Sequence, residues 1–285
     1  MRDFSRNLVA GCWHWLSQRA ARNYVAGMGL EDALRLASQA AARGQGSTLC
    51  YWNRREDTPA HVQRTCLEAL EGMAALGGDS YLSLKATALG FEPERLRAVA
   101  ERARERGLPV VFDAMWPEAA GPIQRAIDAL LPVHPELGCA LPGRWRRSLR
   151  DVEWALERGL RVRVVQGQWE AGPGLGQAGQ EGFLALIDRL AGRARYVSVA
   201  THNVTLAHES LRRLTGAGTR CELEQLLGYP VSGGREVAHR FSVPVRLYLP
   251  FGHAHLPYRL SHAASEPWVV RQLLVDLARV GGARL

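Results

Sequence analysis

Lysine is nearly missing from this sequence of 285 residues: of 36 lysines and arginines, Lys85 alone is lysine. Also missing is any run of about 18 uninterrupted apolar residues, so no membrane-spanning helix is expected and membrane contact is at most peripheral. The five cysteines, Cys12, Cys50, Cys66, Cys139 and Cys221, are odd in number and scattered, without C-x-x-C spacing. That pattern argues against a disulfide framework and a zinc knuckle, and fits a reducing, cytoplasmic location. There is no G-x-S-x-G and no evident Ser/His/Asp arrangement, which leaves a nucleophilic hydrolase without footing. A secretory leader is not expected either. The N-terminal stretch has two early arginines and a short apolar core, but His14 interrupts that core and no small-residue cleavage site follows. Phe4, Leu8, Cys12, Trp15 and Leu16 fall near helical spacing, as in an amphipathic helix laid on a domain.

What is present is ordinary for a globular chain: 47% hydrophobic and 22% charged residues. The net charge of +8 comes from arginine. Its densest run, "GRWRRSLR" (143–150), has no interleaved aromatic platform and no helix-turn-helix around it. It reads as a solvated loop and first helical turn, and no specific nucleic-acid partner is expected.

Short apolar runs alternate with helical patterns along the whole chain. Strands are predicted at 47–52, 81–87, 109–115, 137–141, 161–167, 196–201, 220–226 and 245–250. Between them lie amphipathic stretches, one starting at an Asp57 N-cap with Pro59 in its first turn, another closing on Gly107. Eight such units, with strands too apolar to face water on either side, predict α/β architecture as a (β/α)8 TIM-like barrel. No composition break marks a linker. One barrel domain over 1–285 is expected, with residues 1–45 as N-terminal helices packing on it.

On the second predicted strand Tyr81, Ser83, Lys85 and Thr87 share one face, and Leu82, Leu84, Ala86 and Ala88 the other. With the leucines toward the outer helices, Lys85 points inward near the C-terminal mouth, where barrel enzymes build their sites. A buried ammonium is costly unless paired or functional. Other polar residues collect at the same ends of the strands: Asp113; Arg163 and Gln166; Thr201, His202 and Asn203; Glu222; Arg246 and Tyr248. A packed barrel interior is normally aliphatic, so their convergence points to a site.

These motifs, in this order, resemble the proline dehydrogenase family of flavoenzymes, whose distorted (β/α)8 barrel oxidises proline to pyrroline-5-carboxylate. "LSLKATALG" is similar to that family's lysine strand and "VVFDAM" to its aspartate strand. "VRVVQGQW" is similar to its arginine strand, and "VATHN" and "CELEQLLG" to the next two. "VRLYLPFG" with "LPYRLSH" resembles the final strand and substrate helix. The resemblance implies FAD as cofactor. It implies that Lys85 meets the substrate carboxylate, that Asp113 holds Lys85 in place, and that Tyr248 and Tyr258 shape the amine pocket. Arg163 would lie beside the reactive edge of the flavin, with Gln166, Thr201, His202, Asn203 and Glu222 along the cofactor. The physiological electron acceptor is left unidentified.

Three departures from the family pattern bear on the substrate. The two adjacent arginines that clamp the carboxylate are here Ser261 and His262. Arg259 is two residues away, about 200° around a helix. Gln166 replaces a lysine, and Pro142 stands where a glutamine approaches the flavin. Losing a bidentate clamp weakens a carboxylate ligand by about two decades or more. The expected substrate is therefore a proline-derived molecule or cyclic amine that lacks a free carboxylate or presents it differently.

Two alternatives stand beside this reading. One is a flavin-less barrel acting as a binding or partner protein, suggested by Gln166 and Pro142. The other is a metal-dependent barrel enzyme using the late histidines His253, His255 and His262. "GLGQAG" (174–179) fits G-x-G-x-x-G literally, but its preceding strand ends near Gly167, so it reads as a loop.

Overall fold

Period-two alternation sorts nearly every strand into two faces, and the structure, a computed structural model, shows where each face goes. Residues 16–167, 176, 179–258 and 267–278 are described. Eight strands form a closed parallel barrel in chain order. They are β1 (Gly46–Trp52), β2 (Ser80–Leu84), β3 (Val110–Phe112), β4 (Leu137–Pro142), β5 (Arg161–Val165), β6 (Tyr196–Ala200), β7 (Cys221–Leu226) and β8 (Val245–Gly252). Closure is made by β1 and β8, in register from Gly46↔Arg246 to Trp52↔Gly252.

The helices are α1 (Leu30–Ala41) before β1, then α2 (Pro59–Leu76), α3 (Pro93–Glu105), α4 (Ala120–Leu130), α5 (Ser148–Glu157), α6 (Gly179–Leu190), α7 (Val204–Gly216), α8 (Ser232–Arg240) and α9 (Pro267–Ala278). Outward strand residues such as Leu49, Leu82, Leu84, Val162, Val164, Val197, Val199, Leu223 and Leu249 join the inner faces of these helices in one apolar layer. The (β/α)8 barrel expected from the alternation is thus the fold.

The lumen is filled differently. Thr48, Tyr81, Ser83, Arg163, Ser198, Glu222, Glu224 and Arg246 are all buried inward-facing polar residues. A (β/α)8 lumen usually packs branched aliphatic side chains. Here charge and hydroxyl groups replace them, and each must be satisfied by another.

Several element ends differ from the sequence expectation. β2 stops at Leu84, not at residue 87. The last ladder bond there runs from Asp113 N to the Leu84 carbonyl, and Ala88 N then turns back to the Lys85 carbonyl. Residues 86–89 form a 3₁₀ turn closed by Gly90 in the left-handed region. β3 shortens to Val110–Phe112, leaving Asp113 just past its end. The N-cap of α2 is Thr58, whose hydroxyl accepts from His61 N, and not Asp57. Asp57 instead accepts from Tyr51 OH and Arg54 N.

Both chain ends contribute to the C-terminal face of the barrel. Ala26 N donates to the Pro250 carbonyl at 2.7 Å and Gly252 N to the Gly27 carbonyl at 3.0 Å, laying residues 26–27 against the end of β8. Tyr24, Val25, Cys50, Trp52 and Tyr258 form a second buried apolar cluster there. Asp276 of α9, fully buried, accepts from Tyr24 OH at 2.6 Å and Tyr258 OH at 2.7 Å.

Candidate active site at the C-terminal mouth

Below the mouth lies a buried cluster built from neighbouring strands. Arg163 of β5 is 3% exposed and pairs with Asp113 just after β3, and at 3.5 Å with Glu224 of β7. Both of its terminal nitrogens also donate to Ser83 Oγ at 3.2 Å. Ser83 in turn donates to Asp113 Oδ1 at 2.7 Å. Tyr248 OH reaches Asp113 Oδ2 at 3.3 Å, and the Arg163 guanidinium lies 5.1 Å from the Tyr248 ring centre. Cys50 Sγ stands 3.7 Å from the same carboxylate oxygen. The β-strand parity that sends Ser83 and Arg163 inward brings these side chains together from strands far apart in sequence.

Asp113 is therefore engaged by Arg163, Ser83 and Tyr248, whereas the sequence expectation has it holding Lys85. Lys85 is half-buried at the rim, its Nζ 5.8 Å from the Trp52 ring centre. His255 stacks on the same Trp52, 3.8 Å centre to centre. β2 ends at Leu84, and Lys85, still extended at φ −95° and ψ 97°, is the last residue before the 3₁₀ turn. Among the described residues the ammonium has no hydrogen-bond partner and lies beside aromatic faces.

Electrostatics inside the cluster follow from burial. Burial by itself pulls the Arg163 guanidinium down, but the Glu224 and Asp113 charges outweigh it and hold the group protonated. Burial pushes the Glu224 carboxyl up, against the pull of Arg163 and the hydrogen bond from Tyr81. Burial also raises the Cys50 thiol to about 11, so it is inert as a nucleophile near neutrality.

The side of the mouth built by the β5 and β6 ends is mixed. Thr201 Oγ accepts from Asn203 N at 3.1 Å, and Asn203 Oδ1 caps α7 through Leu206 N at 2.9 Å. Both side chains therefore already shape the β6–α7 turn. His202 accepts from Leu226 N at 2.9 Å through Nε2, which leaves Nδ1 to carry the proton. Burial lowers its pKa to about 4, against a smaller opposing effect of the Pro230 carbonyl, so the ring is neutral near pH 7. His202 Nδ1 and Arg163 Nε are buried without a well-formed hydrogen bond. Gln166 is exposed just beyond β5, and Pro142 packs where a Cβ on Gly167 would come within 2.8 Å of its ring.

Glu222 lies elsewhere. It is fully buried at the entry end of the barrel, accepting from Tyr196 OH at 3.0 Å, from Ser198 Oγ and from Arg246 Nε at 2.7 Å. Its carboxylate belongs to a structural network with Arg246 and Asp79, remote from the mouth. Glu224, two residues on, is the glutamate that meets Arg163. The sequence reading missed it, although period-two parity puts both glutamates of "CELEQ" on the inward face. Tyr258 is buried with its hydroxyl on Asp276. Ser261, His262 and most of "GLGQAG" lie outside the described residues, as do Phe4, Leu8, Cys12 and Trp15. Among the described residues no three metal-ligating side chains cluster, and the His253–His255 pair contributes a stacked ring at the rim. The four described cysteines are free. In the arginine run, Trp145 is buried and Arg147 is held by Asp151 at 2.7 Å, so only part of it is solvated.

No protein-family model matches the chain. Among curated proteins it is similar to proline dehydrogenase 1 of Bacillus subtilis subsp. natto, 22% identical over 266 residues and covering 87% of both chains. Among solved structures it is similar to proline utilization A (PutA) from Bdellovibrio bacteriovorus, with TM-score 0.73, 17% identity and 92% of this chain covered. PutA from Corynebacterium freiburgense gives TM-score 0.71 at 17% identity over 99% of this chain. The chain spans about a third of the length of those PutA chains, 33% and 35%. The sequence similarity to a proline dehydrogenase thus spans 87% of that protein, and the barrel is one shared with the PutA structures.

Proposed function

We propose that the protein is an FAD-dependent oxidoreductase of the proline dehydrogenase type, acting on the C–N bond of proline or a proline-related cyclic amine. The observation that carries this reading is Arg163. It is a buried guanidinium held rigidly by Asp113, Ser83 and Glu224, with Nε left without a hydrogen bond at the base of the mouth. An unsatisfied buried donor is costly and calls for an acceptor. A bound ring with a nitrogen or oxygen acceptor would satisfy that donor. When bound, the flavin would supply the two-electron acceptor that no side chain provides.

The remaining roles belong to this chain. Arg163 presents fixed positive charge, and Asp113 with Ser83 fixes its orientation. Lys85 provides the mobile cation at the rim that would meet an anionic or electron-rich part of the substrate. Tyr248, with its hydroxyl on Asp113, and Tyr258 would shape the amine pocket. Thr201, His202 and Asn203 line the cofactor side, with Gln166 at its edge. Replacement of the arginine pair by Ser261 and His262 favours a substrate without a free carboxylate.

A second reading, a barrel that binds a partner without flavin, is favoured by Thr201 and Asn203 being spent on the β6–α7 turn and by Pro142 at the mouth. An absorbance spectrum of the purified protein separates the two. Bands at about 370 and 450 nm, natively or after FAD is added, are expected for the enzyme. A colourless protein that does not retain FAD would sink the proposal. For the holoenzyme, neutral cyclic amines are expected to turn over faster than L-proline, and a strong preference for L-proline would remove the substrate assignment.

A further inference from the structure

The opposite end of the barrel carries charge that the mouth does not use. Arg161 opens β5, and Arg195 and Arg220 stand immediately before β6 and β7. With Glu136 and Tyr196 they line a cavity of about 190 Å³ at the entry face. Parallel pairing forces this convergence: Arg161 is in register with Tyr196, and Val197 N donates to the Arg220 carbonyl at 2.9 Å.

Three guanidiniums face one carboxylate across this cavity. Glu136 pairs with Arg195 at the rim. The Arg161 guanidinium lies 4.1 Å from the Tyr196 ring centre, and the Arg220 guanidinium 5.8 Å from the same ring. Two guanidiniums thus share one aromatic ring, and an anion between them would offset their mutual repulsion. Arg161 Nη1 is buried without a hydrogen bond. Its nearest carboxylate oxygen, on Glu222, is 3.8 Å away, too far for one. Glu222 is already taken by Ser198, Tyr196 and Arg246. Arg220 has no ion pair among the described residues and Arg161 only the long one to Glu222, so both keep guanidinium donors for oxygen ligands.

We propose that this entry-face cavity binds a compact oxyanion of charge −2 or more, phosphoryl or polycarboxylate, held by Arg161 and Arg220 over Tyr196 with Arg195 at its rim. The site is separate from the mouth and does not depend on the function proposed above. The test is calorimetric titration of the full chain with inorganic phosphate and, separately, with citrate, in chloride buffer at matched ionic strength. Saturable binding of one of the two is expected, and which one binds decides between phosphoryl and carboxylate chemistry. Arg220→Gln is expected to weaken that binding about tenfold or more. It sits on an exposed side chain and spares the fold if Arg161→Gln does not. Arg97→Gln, on the outer face of α3, is expected to leave binding unchanged. No saturable binding by either anion overturns the proposal, as does affinity unaltered in Arg220→Gln.

Discussion

At the scale of single residues, the Arg163–Asp113 pair concentrates most of the risk in this protein. Arg163 is 3% and Asp113 15% exposed, so removing Asp113 leaves the buried guanidinium with Glu224 as its one carboxylate. Asp113→Ala is expected to lower unfolding stability by about 3–5 kcal/mol in a urea titration, and Asp113→Asn by less because it preserves an acceptor. Two buried groups then give opposite pH slopes. His202 has its pKa lowered to about 4, so the unfolded chain takes a proton from about pH 6.5 downward while the folded chain resists. The stability it secures is complete above pH 6.5 and is lost as pH falls toward 4, up to about 3 kcal/mol. Comparing urea midpoints of His202→Gln and the parent at pH 7 and 4.5 checks this: the variant should lose less on acidification. Glu224 has its pKa raised by burial, so its contribution is greatest at low pH and declines as pH rises past the usual carboxylate range. Glu224→Gln should remove that decline.

At the scale of elements, the turn after β2 decides the fate of the only lysine. Lys85 keeps extended dihedrals after the last residue of β2, and the 3₁₀ turn over 86–89 then takes the chain out of the barrel wall. Strand count was legible in the sequence because each apolar run carries its own alternation. Strand ends were not, because they depend on which neighbouring strand supplies the next hydrogen bond. The same holds for the N-terminal segment. Gly228, after β7, has φ +92°, and a Cβ there would overlap the Asn23 carbonyl. Gly228→Ala therefore combines backbone strain with a clash and should undock residues 20–27 from the mouth. Amide exchange in that segment should accelerate at least tenfold; unchanged protection would mean the contact is dispensable. Nothing in the sequence around Asn23 and Tyr24 announces that contact, nor the hydrogen bonds from Tyr24 and Tyr258 to Asp276, more than 200 positions from Tyr24 in the first case.

At the scale of the whole molecule, the barrel separates two polar systems by height. Arg161, Tyr196, Glu222 and Arg246 occupy the entry end, and Arg163, Asp113, Glu224 and Tyr248 the end toward the mouth. Tyr81 links them, hydrogen-bonded to Glu224 and lying under the Arg246 guanidinium at 4.3 Å. Binding of a ligand by the folded chain alone raises its stability by mass action. FAD at a hundred times its dissociation constant should therefore add about 2.7 kcal/mol and raise the melting temperature. No change on FAD addition would favour the flavin-less barrel.

The eight strands and the outward leucine and valine faces could be read from the sequence, because they rest on local periodicity. The pairing of Asp113 with Arg163 and not Lys85, the burial of Glu222 at the entry end and the choice of Glu224 for the site came only with tertiary structure. Height along a barrel axis is set by the register of every strand against its neighbours, and a single strand read alone carries no record of it.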